Sequence, residues 1–132
     1  MVHLTVNGLD GGIHVAHIHG IKQAENECPS LANDTNHDMF VDFAEGLPSY
    51  GPVQVTLSNG TNDTGTSLDY TRTFTHLDGG DGIASLGDLD QYAIVVHGVD
   101  LNDADNVATT GSADPAANEI TMPAVCGVIV PR

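Results

Sequence analysis

The stretch Gly12-Ile-His-Val-Ala-His-Ile-His-Gly20 constrains this chain more than any other. Three of the seven histidines fall in it, among β-branched and small residues that suit an extended backbone. Side chains of a strand alternate between faces, so His17 and His19 share one side and His14 points to the other. Two imidazoles spaced in this way reach one metal ion, and the parity separates two ligands from one structural histidine. The competing interpretation is a strand whose wetted face carries polar rings.

The 132 residues suit one domain with a core of its own. Val2 to Val6 reads as a strand, followed by a glycine-rich turn and the histidine strand. Further strands are expected at Val53–Leu57, Tyr70–Thr75, Ala93–His97, Ile120–Met122 and Gly127–Val130. Ser58-Asn59-Gly60-Thr61 is a turn, and Leu77 to Gly82 is a glycine-aspartate loop. Two long polar stretches, 20–51 and 98–118, read as loops. Short strands and long loops predict an antiparallel sandwich or barrel. No apolar run spans a membrane and no secretory signal is evident, as expected of a mature chain or a fragment with an added Met.

Eighteen acidic residues face only Lys22, Arg72 and Arg132, giving a net charge of −15. Nucleic acid and anionic membranes are poor partners for that surface, whereas a calcium-rich or saline exterior suits it. Cys28 and Cys126 either close a long loop as a disulfide, implying an oxidising compartment, or sit as two buried thiols.

The first long loop has a sharper pattern. Asp34, Asn36, Asp38, Asp42 and Glu45 occupy positions 1, 3, 5, 9 and 12 of a calcium-loop spacing, with the Phe40 carbonyl at position 7. Met39 stands at position 6, where glycine usually makes the sharp turn. We expect a structural calcium there, against the plainer interpretation of a solvated acidic loop. Asp100, Asn102 and Asp105 have related chemistry without the full spacing. His3 and His76 are expected at the surface.

Gly12 to His19 resembles the Gly-Leu-His-Gly-Phe-His-Val-His strand of copper/zinc superoxide dismutases. Cys28, nine residues after His19, resembles that family's disulfide cysteine. Ser85-Leu86-Gly87-Asp88 and Ile94-Val95-Val96-His97 resemble its Ser-Leu-Ser-Gly-Asp and Leu-Val-Val-His, and Cys126-Gly127-Val128-Ile129 its closing Cys-Gly-Val-Ile. The acidic loop and Glu45-Gly46-Leu47-Pro48-Ser49-Tyr50-Gly51-Pro52 also resemble secreted bacterial chordin-type (CHRD) domains. The resemblance implies an all-β, Greek-key superoxide-dismutase-like barrel or sandwich over residues 1–132. It also implies copper on His17, His19 and His97, a structural His14, and a Cys28–Cys126 disulfide.

The departures shape the functional expectation. The nearest candidate for the family's bridging histidine is His37, inside the proposed calcium loop, and no zinc cluster follows it, so zinc is not expected. Pro123 replaces the arginine that orients superoxide in the family. The family's first two strands have no counterpart, so self-association or a partner strand is expected to complete the barrel. Two functions follow: a copper-only superoxide dismutase, or a secreted calcium- and copper-binding structural module with weak or no catalysis. A zinc-hydroxide hydrolase on the same histidines is a third, weaker reading. Either main function belongs in an extracellular or periplasmic compartment.

Overall fold

A computed structural model describes residues 1–20, 28–57, 63–74, 86, 88–101 and 119–130. The expected turn at 58–61, the loop at 77–82, His76, Asn102 and Asp105 lie outside them, as do Lys22 and Arg132. The described residues are mostly β-structure in two antiparallel sheets, with one α-helix and no closed barrel.

β1 (Val2–Asn7) and β5 (Ser67–Arg72) form one sheet. Both alternate apolar and polar residues, and their register sets Val6 beside Leu68 and Leu4 beside Tyr70 on the inner face. The second sheet is built around β2 (Ile13–His19). β6 (Ala93–His97) lies along one edge of β2; β3 (Val53–Thr56) and the short β4 (Asp63–Thr64) share the other. β7 (Pro123–Val128) pairs with β6 at the outside. Gly65 and Thr66 lead from β4 into β5 and so from one sheet to the other. The Gly65 amide donates to Gly12 O (2.9 Å), and Thr66 O accepts from Gly8 and Leu9 (both 3.1 Å).

The core lies between the two sheets. Ala16 and Ile18 of β2 and Val96 of β6 meet Val6, Leu68 and Tyr70 there. A buried aliphatic side chain contributes roughly 1.5–3 kcal/mol. That core therefore fixes which face of β2 turns inward: His14 goes with Ala16 and Ile18, and His17 and His19 go to the opposite face.

Three expectations change. The strand expected at 70–75 is β5, three residues earlier. The strand expected at Ile120–Met122 is instead a 3-10 turn and bend, and a single closing strand, β7, follows it with Cys126 inside. The long loop holds a helix, α1 (Phe43–Tyr50), which starts at a reciprocal cap: Asp42 accepts from the Glu45 amide (2.9 Å), and Glu45 Oε2 accepts from the Asp42 amide (3.2 Å). Pro48 within it removes one helical donor, and Gly46 lowers propensity, so the sequence pattern disguises it.

Cys28 and Cys126 are joined, with Cα atoms 5.5 Å apart and 98 residues of separation. In the chain-entropy view, closing a loop of that size is worth up to about 4–5 kcal/mol. Replacing both cysteines with serine is expected to lower unfolding stability by a few kcal/mol in urea denaturation. Equal midpoints with and without reductant would show that the bond carries little of the stability.

Candidate metal centre

The register of the second sheet assembles the site. His17 pairs with Val95 and Val15 with His97, so His17, His19 and His97 all project from the face turned away from the core. Each outer strand carries one extra residue beside the histidines: Gln54 in β3 next to His19, and Ala124 in β7 next to His97. Such bulges bend a strand locally and re-aim neighbouring side chains. The three imidazole centroids lie 5.3–5.4 Å apart. One ring nitrogen from each falls within 4.8 Å of the others, and among the described residues no other His, Cys, Asp or Glu trio does so.

The hydrogen bonds decide what those nitrogens present. His19 Nδ1 donates to Gly51 O (2.8 Å), and His97 Nδ1 donates to Thr121 O (2.7 Å). A carbonyl can only accept, so both protons sit on Nδ1 and both Nε2 atoms carry lone pairs. These two Nε2 atoms are 3.2 Å apart. His17 Nδ1 is buried and has no hydrogen-bond partner. Two bare nitrogens facing each other beside a third buried imidazole are costly without a cation between them and ready-made with one.

Burial keeps the rings neutral. It pushes His17 down to about 4, helped by the neighbouring His19. His97 also falls to about 4 through burial, although its bond to Thr121 opposes the shift. His19 is lowered for the same reason, against its bond to Gly51. Neutral imidazole is the form that binds a metal.

Tyr50 closes the site from α1. It is fully buried, with its ring 4.7 Å from that of His19 and 6.0 Å from that of His97. Burial and the Asp42 charge push its hydroxyl up to about 12, so it stays neutral. Gly51 follows directly. Its positive φ of 76° and its approach to Gly20, whose Cα would sit 3.0 Å from an added Cβ, bring its carbonyl onto His19. Sequence reasoning missed Tyr50; the Asp42/Glu45 cap was the available signal for the helix that delivers it.

His14 is structural in this arrangement. Its Nε2 donates to Asp10 O (2.8 Å) and Gly65 O (2.9 Å), and its Nδ1 lies 3.3 Å from His97 O. One buried ring thus ties the turn after β1 to the corner before β5 and packs beneath the end of β6. Gly98, at φ 110°, makes room for it: an added Cβ would strike Ile13 O and the His14 ring.

The acidic loop is ordered by its own side chains. Asp34 accepts from the amides of His37 (2.7 Å), Asp38 (3.3 Å) and Met39 (2.9 Å). Met39 takes φ 74°, supplying at position 6 the left-handed turn expected of glycine, and His37 takes φ 63°. Asn36 and Asp38 bond to each other, and Asp38 also accepts from Phe40 N (2.9 Å). Glu45 Oε1 accepts from Thr35 N (2.7 Å), Thr35 Oγ1 (2.9 Å) and Asn36 N (3.2 Å). Its burial alone would raise the carboxyl, but these bonds and the cap outweigh that and lower it. Asp34, Asp38, Asp42 and Glu45 thus turn their oxygens toward backbone amides and do not gather as the histidines do. His37 is exposed and outside the histidine group, and His3 is exposed on β1, 3.6 Å from Asp69. Asp100 is half-buried and joins no metal-ligand cluster. Pro123 lies opposite His97 in the ladder. Arg72, the one cationic Lys or Arg among the described residues, stacks on Phe74 at 4.7 Å in the other sheet.

Comparison with known proteins gives no match to a family model, a curated protein or a solved structure.

The depressed histidines predict a signed pH effect in metal-free protein. Unfolded histidine takes up its proton near 6.5, whereas His17 and His97 wait until about 4 when folded. Between those values the unfolded chain binds more protons, so stability present above pH 6.5 is lost as pH falls toward 4. Thermal melts of His97→Ala are expected to show a shallower slope across that window than the parent.

Proposed function

We propose that this chain is a copper protein that acts on superoxide, with its one ion held by His17, His19 and His97. The supporting observation is the pair of facing, unprotonated Nε2 atoms of His19 and His97, 3.2 Å apart beside the unpartnered Nδ1 of His17. An all-imidazole set suits copper, and zinc accepts it as well. Copper bound there supplies one-electron chemistry in both directions, which dismutation of superoxide to oxygen and peroxide requires.

The protein's own part is orientation. The Gly51 and Thr121 carbonyls hold His19 and His97 in one tautomer and one rotation, as outer partners of metal-binding histidines commonly do. Tyr50 keeps water from the side of the site it covers. The resemblance to copper/zinc superoxide dismutases, carried by the histidine, Val-Val-His and cysteine motifs, supports superoxide as substrate.

A second reading has its own support. Pro123, not arginine, stands beside His97, and a net charge of −15 repels an anionic substrate. Those features favour a calcium- and copper-binding structural module with little turnover. In either reading the 34–45 loop is the calcium site, supported by the turn that Asp34 and Met39 make. The disulfide is compatible with an oxidising compartment, and no helix among the described residues is long and apolar enough to cross a membrane. We place the protein outside the cell or in a periplasm.

Metal counting by mass spectrometry is expected to find one copper, at least one calcium and no zinc per chain, with copper lost in His97→Ala. Copper-loaded protein should then consume superoxide faster than His97→Ala does. A rate equal to the buffer blank with the site full would sink the enzymatic reading and leave the module. Calcium chelation tests the acidic loop in both readings: a large fall in melting temperature with copper retained is the expected behaviour, and an unchanged melt removes calcium from both.

A further inference from the structure

We propose that the open flank between β1 and β7 receives one extended strand of a separate, basic polypeptide. Among the described residues β1 pairs only with β5, and β7 only with β6, so each strand has one edge without a partner. Between these edges lies a groove of about 550 Å³ lined by Leu4 and Val6 on one side and by Ile94, Val96, Val125 and Gly127 on the other.

The register shows that this groove is core surface without a cover among the described residues. Ile94 and Val96 face the core, and their ladder partners on β7 are Gly127 and Val125. Directly opposed residues share a face, so Val125 also points inward, yet it is 42% exposed. A Cβ built on Gly127 would meet nothing within 4 Å. Leu4, inward on β1, is only half-buried. A strand laid along β7 would pair its backbone with the free edge and place every second side chain over Val125, Gly127 and Leu4.

Charge selects the occupant. A second copy would bring another −15 against the first. The lining named above holds no charged residue, so the inner side chains of the incoming strand are aliphatic. Lysine or arginine at its flanks would be drawn by the chain's net charge of −15.

The probe is a synthetic peptide of alternating valine and threonine between lysine pairs, added to the intact, disulfide-bonded protein. Amide exchange by NMR is expected to slow at Cys126 and Val128, whose N–H groups alternate with those that face β6, with the histidine resonances unmoved. Gly127→Leu, whose side chain enters open space and leaves the fold intact, is expected to weaken binding at least tenfold. The same peptide with glutamate flanks should bind at least tenfold more weakly than the lysine form. The proposal is overturned if those two outward amides are already protected without peptide, or if they are unaffected at millimolar peptide. It is also overturned if Gly127→Leu or the glutamate peptide binds equally well, or if sedimentation shows a homodimer through β7.

Discussion

Two hydrogen bonds set the chemistry of this molecule: His19 to Gly51 O and His97 to Thr121 O. Each fixes a proton on Nδ1 and leaves Nε2 bare, and the sheet register brings the two bare atoms to 3.2 Å. A buried pair of this kind has three outcomes: a shared proton, a bound cation or displacement of a ring. Burial disfavours the proton, since it lowers both rings from their ordinary value. Packing disfavours displacement, since Tyr50 lies against both. The cation is the outcome that leaves the surrounding fold unchanged.

That arrangement depends on the opposite face of the same strand. β2 can hold His17 and His19 outward because Ala16 and Ile18 are locked inward, and a slip of one residue would exchange the faces. His14 adds a polar lock on the inner side. It donates to Asp10 O and Gly65 O and packs beneath the end of β6, whose His97 side chain serves the site above.

The period-two logic made much of this legible in the sequence. His-x-His on one face, His14 on the other and the tail of Ala93–His97 are local patterns, and the strands realise them. The β-rich class was legible from turn residues and short apolar runs, and the Cys28–Cys126 pairing from family resemblance. What was hidden depends on long-range contact. Tyr50 reaches His19 only through a helix whose Pro48 and Gly46 argue against one, and no local pattern marks Gly51 O or Thr121 O as histidine anchors. The bulges at Gln54 and Ala124 are likewise properties of pairing between strands. Met39 is a further case: its side chain gives no hint of a left-handed turn, which Asp34 imposes by collecting three successive amides.

The acidic loop and the histidine site share one short piece of structure. Asp42 and Glu45 cap α1 at one end, and at the other Tyr50 and Gly51 touch His19 directly. Glu45 also holds Thr35 and Asn36, so its carboxylate joins the loop to the helix. A cation entering the loop must compete with those amides for Glu45, and any turn of α1 that results moves Tyr50 and the Gly51 carbonyl with it. The disulfide restrains the far side, tying β7 to the segment that leads into the loop. The shape of the candidate metal centre is therefore held by three independent ties: the β2–β6 register, the cap of α1 and the Cys28–Cys126 bond. Only the first lies within the sheet. The other two fix the segment between Cys28 and Gly51, whose Tyr50 ring and Gly51 carbonyl lie against His19.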